Sequence, residues 1–135
     1  MPMITVPTEP HLALKALMMP RDTNQHGTIF GGVVLSYIDQ AGAVGALYAL
    51  QLAGHNEKPL VSVAMDRVEF LKPIHVGDVV SFMTRVMAVG RTSITVEVIV
   101  QSVRKGKPEE LTRAMVTYVA VTRNEAEQTP VKLYD

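Results

Sequence analysis

Asp39 is the residue in this sequence best placed to do chemistry. From Thr23 to Asn56 it is the only Asp, Glu, Lys or Arg in the chain. A carboxylate set in so apolar a stretch must be hydrogen-bonded, protonated or turned toward a cavity, because burial otherwise strips its hydration at large cost. On helical spacing its face carries Gly32, Leu35, Ser36, Gly42, Ala43 and Ala46, small residues apart from Leu35. Gly42 and Gly45 each cost about 1 kcal/mol against alanine inside a helix, so something comes close there, a ligand or a partner helix. Such a carboxylate can serve as general base or as nucleophile; it can equally be a satisfied structural group at a dimer interface.

The second reactive element is a helix entrance. Gly31 and Gly32 open the apolar run, where unsatisfied N–H groups and the positive end of the helix dipole can hold a developing oxyanion. Close packing of strand on helix is the alternative use of such glycines. Asn24, in the polar stretch RDTNQHGT, is either a ligand that orients a carbonyl or water, or an ordinary turn former. Gly31 and Asp39 are separated by about 12 Å along a helix, at 1.5 Å per residue. Both cannot touch one carbonyl from the same chain. If they act together, Asn24 and Gly31 come from one protomer of a two-fold dimer and Asp39 from the other.

Several chemistries are disfavoured. His11, His26, His55 and His75 have no ligand-like spacing, so a dedicated metal site is not expected. There is no GxSxG elbow, and GTIFGG at 27–32 misses both the dinucleotide fingerprint and the phosphate loop. The absence of cysteine removes disulfides, thiolate ligands and a cysteine nucleophile, and fits a reducing compartment. With 13 basic and 13 acidic residues the net charge is +0, which gives no general attraction to nucleic acid or anionic lipid. A membrane span would carry Asp39 near its centre, at about 2.5–3.5 kcal/mol on an insertion scale. The N-terminus lacks the pattern of a secretory signal, so a cytoplasmic location is expected.

The positioning elements follow from periodicity. A chain of 135 residues can bury about two thirds of its extended surface, enough for one domain, 1–135, with a packed core at about 12–122 and short tails. Residues 11–19 are extended or ambiguous and are closed by Pro20. The run from Gly31 to about Ala53 is too long for a strand and apolar on nearly every side, a buried helix stopped by Gly54 and His55-Asn56. Strands are expected over 60–70, 79–89, 92–104 and 111–122, with Lys105-Gly106-Lys107-Pro108 as a break. In the third of these, Ile94, Val96, Val98 and Val100 alternate with partly polar residues. Short, hairpin-like connections and an antiparallel sheet wrapped on the helix are the expected α+β architecture. A helix apolar all round needs a second neighbour, hence a dimer.

The run MMPRDTNQHGTIFGGVVLSYIDQAG, then FLKPIHVGDVV and VGRTSITVEV, resembles the hot-dog-fold acyl-CoA thioesterases, in the bacterial branch related to cytosolic acyl-CoA hydrolases. The specific signature is Asn-x6-Gly-Gly-x6-Asp followed by Pro-x-x-x-Gly-Asp. The resemblance implies a long central helix wrapped by five to six antiparallel strands, paired sites at a homodimer interface, and often a trimer of dimers. It implies that Asp39 is the catalytic carboxylate, that Asn24 positions the carbonyl or water, and that the Gly31 N–H is the oxyanion donor. Gly32 and Ser62 are then substrate-lining, and Arg91, Thr92 and Ser93 contact the nucleotide of coenzyme A. No cofactor is implied beyond the coenzyme A of the substrate. The rival expectations are a non-catalytic acyl-CoA binding protein, a hot-dog dehydratase or hydratase, and a purely structural dimer.

Overall fold

The computed structural model describes residues 5–55, 58–122 and 129–133. Strand β1 spans His11–Leu17, helix α1 Gly31–Leu52, and strands β2 Leu60–Phe70, β3 Val79–Val89, β4 Ser93–Arg104 and β5 Lys107–Ala120. All neighbouring strands pair antiparallel, in the order β1-β3-β4-β5-β2. The two-residue period places Val80, Phe82 and Val86 of β3, Ile94 to Val100 of β4, and Ala114, Val116 and Tyr118 of β5 on the face that α1 covers. Against them α1 buries Val34, Ile38, Ala41, Ala46, Ala49 and Leu50. By length and composition α1 could cross a bilayer. It occupies the place of a core helix.

The expected helix is observed, and its stop has a Schellman form: the His55 N–H donates to the Leu50 carbonyl at 2.7 Å, and Gly54 has a φ of 84°. Asn56, part of the expected stop signal, lies outside the described residues. The outer face of α1 is apolar toward its C-terminal half, where Val44, Leu47, Tyr48 and Leu52 are exposed.

The segment read as extended or ambiguous is β1, fixed as a strand by pairing with β3. Three expectations need correction. Strand β5 starts at Lys107 rather than Leu111, because Lys105 and Gly106, with φ of 53° and 75°, make a two-residue hairpin turn and Pro108 already sits opposite Val103. The connection from β2 to β3 is no hairpin. It carries the chain from one edge of the sheet to a strand on the far side, and among the described residues β2 is an edge strand paired only with β5. The packed region also reaches past Thr122, since Leu133 is buried in the core and its N–H donates to the Arg91 carbonyl at 2.8 Å.

The crossover holds the helix entrance. Ile29 N–H donates to the Ile74 carbonyl at 2.8 Å, Thr28 bridges His75, and Gly77 N–H donates to the Met18 carbonyl at 2.9 Å. The segment leading into α1 is thereby fixed between the crossover and the end of β1.

Candidate active site

Asp39 lies on the flank of α1, half-buried, where the helix passes the β5–β2 edge of the sheet. Tyr118 of β5 rises from below: its hydroxyl donates to the backbone carbonyl of Asp39 at 2.6 Å and reaches Oδ1 at 3.4 Å. Ser62 of β2 approaches from the side, with Oγ 3.4 Å from Oδ2. Ser62 and Tyr118 are register partners, which is why two strands deliver hydroxyl groups to one carboxylate. Burial, the negative charge of Asp39 and the hydrogen bonds to it push the Tyr118 phenol far above its usual range, against a smaller opposite pull from the Ala43 N–H. Tyr118 therefore stays protonated and acts as a donor.

The helical glycines have an internal cause. A Cβ at Gly42 would stand 2.3 Å from the Tyr118 hydroxyl, and one at Gly45 would stand 2.1 Å from Thr84 Oγ1. What comes close is the chain's own sheet, which replaces the expectation of a ligand or partner helix at these two positions. Gly32 differs: a Cβ there would meet nothing within 4 Å, and the residue is exposed.

At the other pole, α1 begins without a side-chain cap and with no acidic residue in its first turn. The Phe30 carbonyl accepts from Val33 and Val34 N–H at 3.1 and 3.2 Å. Gly31 and Gly32, the first two helical residues, have no carbonyl one turn back within the helix to bond. Their N–H groups carry the positive end of a 22-residue helix. The Phe70 ring lies 3.4 Å from where a Gly31 Cβ would be.

Asn24 is engaged in its own turn. Its Oδ1 accepts from the N–H groups of His26 and Thr28 at 2.8 and 3.2 Å, and Nδ2 donates to Thr28 Oγ1 at 2.9 Å. The turn-forming use is thus realised, and one of its two amide hydrogens is committed. Arg91 and Thr92 lie in the β3–β4 turn and Ser93 opens β4; the turn is secured by the Ala120 N–H donating to the Thr92 carbonyl at 2.8 Å. That turn lies at the same end of the sheet as Tyr118, which pairs Ile94 on one side and Ser62 on the other. Within one chain, then, Asp39, Ser62, Tyr118 and the turn gather at one end, while Asn24 and Gly31 sit at the other. Among the described residues no group of three or more His, Asp or Glu could hold a metal ion.

Tyr118 was missed by sequence reasoning. Its inward position in the alternation of β5, where a buried phenol needs a partner, is the one signal that pointed to it.

Comparison with known proteins bears on this geometry. The model of the thioesterase superfamily matches residues 26–109. A Haemophilus influenzae protein named as an uncharacterized acyl-CoA thioester hydrolase is 42% identical over 118 residues, 84% of this chain and 73% of that protein. Among solved structures, a hexameric hot-dog-fold thioesterase of Campylobacter jejuni is 40% identical, with a TM-score of 0.72 over 90% of each chain. A hexameric thioesterase from Yersinia pestis is 37% identical, with a TM-score of 0.78 over 95% of this chain and 98% of that one. One long helix on a five-stranded antiparallel sheet is the architecture they share with this protein. The chain belongs to the thioesterase superfamily and has its hot-dog fold.

Proposed function

We propose that this protein hydrolyses acyl-CoA thioesters to free carboxylic acids and coenzyme A, and that its site is shared between two protomers. The observation that carries the reading is the placement of Asp39: a half-exposed carboxylate, its backbone fixed by Tyr118, beside an open sheet edge at Ser62.

The thioester carbonyl oxygen accepts from the Gly31 N–H of one protomer, with the second amide hydrogen of Asn24 as a further donor. As a water oxygen bonds to the carbonyl carbon, its proton passes to Asp39 of the other protomer and the carbonyl becomes an oxyanion. One such donor contributes about 3–4 kcal/mol to the transition state. The carbon–sulfur bond then breaks, coenzyme A leaves as thiolate, and the acid is released. Direct attack by Asp39, giving a mixed anhydride that water then hydrolyses, uses the same placement. No cofactor is needed in either route, because a thiolate leaves without metal assistance. Gly32 and Ser62 line the substrate, and Arg91, Thr92 and Ser93 contact the nucleotide of coenzyme A.

The unpartnered β2 edge and the apolar outer face of α1 support assembly as a homodimer at least, and the hexameric relatives favour a trimer of dimers. One domain over 1–135 acting on a water-soluble thioester suits the cytoplasm. The test is thiol release from a panel of acyl-CoAs of increasing chain length. Release from at least part of the panel is expected; tight binding without release would identify a non-catalytic binder.

A further inference from the structure

A cavity of about 320 Å³ opens beside the start of α1. Its walls include Ile29 and Val34, Phe70 at the end of β2, and Ile74 of the crossover; Gly31 and Thr112 also line it. Thr112 is fully buried, and its Oγ1 has no hydrogen-bond partner. On β5 it belongs to the alternating set with Ala114, Val116 and Tyr118 that points into the layer between sheet and helix.

The other buried hydroxyls of that layer are satisfied. Thr84 Oγ1 donates to the His11 carbonyl at 3.3 Å, Ser102 Oγ to the Val79 carbonyl at 2.9 Å, and Tyr118 to Asp39. An orphaned buried hydroxyl costs about as much as a lost hydrogen bond, and such exceptions call for an account. Here Thr112 lines a cavity that also reaches Gly31, the proposed oxyanion donor.

We propose that this cavity seats the acyl group, and that Thr112 Oγ1 hydrogen-bonds a hydroxyl or keto oxygen carried on the acyl chain. The inference rests on the thioesterase reading. With the carbonyl on Gly31, the apolar walls suit the acyl side of the thioester rather than the polar coenzyme. The volume lies near the lower end of the range for small-molecule sites, about 300–1,000 Å³, which favours short chains. A pocket with one buried polar group discriminates against the isostere that cannot pair with it. The preferred substrates are therefore short, oxygen-bearing acyl-CoAs.

The experiment compares thiol release from butanoyl-CoA with that from both enantiomers of 3-hydroxybutanoyl-CoA and from 4-hydroxybutanoyl-CoA, by kcat/KM. The wild-type protein should favour one oxygenated substrate by about tenfold, the ratio one net hydrogen bond supplies. If that substrate is a 3-hydroxy one, it should be a single enantiomer. Thr112→Val should bring the ratio to about one or below, by loss of the hydroxyl alone, and Thr112→Ser should keep it. Equal use of all these substrates by the wild-type protein would overturn the inference even if the valine variant fails to fold, and so would a ratio that Thr112→Val leaves unchanged. Absence of thiol release from every substrate would instead strike at hydrolysis itself.

Discussion

The hydroxyl of Tyr118 donates to the backbone carbonyl of Asp39 at 2.6 Å, joining residues 79 positions apart in sequence. It binds the sheet to the helix at the residue on which the proposed chemistry depends, and Gly42 supplies the space through which it does so. Tyr118→Phe removes the donor and keeps the ring. Stability should fall by about 1 kcal/mol, the net worth of one such bond. Turnover should fall by about tenfold with KM little changed, because the Asp39 backbone loses its anchor. A thermal melt paired with steady-state thiol release measures both effects.

Gly45→Ala should be destabilising despite the better helix propensity of alanine. The new methyl would stand 2.1 Å from the buried Thr84 Oγ1, and relieving it must move the helix or β3. Overpacking of this kind costs about 1–3 kcal/mol. Gly32→Ala is the internal control, since its methyl meets nothing within 4 Å, and its denaturation midpoint should stay within error of the wild type or rise.

Much of this framework was legible in the sequence, and the reasons are local. The uncharged apolar run marked α1, and the alternation of Ile94 to Val100 marked β4. Gly42 and Gly45 announced a close approach, though only tertiary packing shows that Tyr118 and Thr84 make it. Pro108 reads as a breaker by composition, yet pairing with Val103 makes it part of β5. The separation of β2 from β3 left no local mark, because nothing in a strand's own residues names its neighbour. The spacing of Asn24, Gly31 and Asp39 already separated Gly31 from Asp39 along α1, while the turn that occupies the Asn24 side chain shows only in three dimensions.

Acid sensitivity should trace to Asp78. Burial acts to raise its pKa, but the His75 N–H and the Arg104 guanidinium, 2.9 and 2.8 Å from Oδ2, outweigh that and hold the carboxyl below its ordinary value. A depressed folded-state pKa contributes stability that is complete above the unfolded value, about 3.9, and is lost as pH falls through the folded one. Loss of these charge-assisted bonds in Asp78→Ala should cost about 2 kcal/mol at neutral pH, and the gap to the wild type should narrow as the pH falls below about 4. Urea titrations at a series of pH values would show a constant gap if Asp78 is not the group responsible.

Gly31→Pro isolates the proposed oxyanion donor. Gly31 is the first helical residue, where proline is tolerated, and Phe30 before it has φ −55° and ψ 134°, which suits a pre-proline residue. The substitution deletes an N–H and leaves the helix standing. It should lower kcat by about 100-fold or more. Co-refolding it with Asp39→Asn should restore activity to the mixed population, because each mixed dimer then holds one intact site. If Gly31 and Asp39 of one chain formed the site, mixing would restore nothing.

The most direct test of the whole account is thiol release by the Asp39→Asn variant. The substitution preserves shape and the backbone carbonyl that Tyr118 holds, and replaces one carboxylate oxygen by an uncharged NH2 that cannot accept a proton. A protein with an unchanged melting transition, unchanged oligomeric size and turnover lowered by about 1,000-fold or more is the expected result. Hydrolysis at the wild-type rate would contradict the account, because the carboxylate on which every step is built would be dispensable.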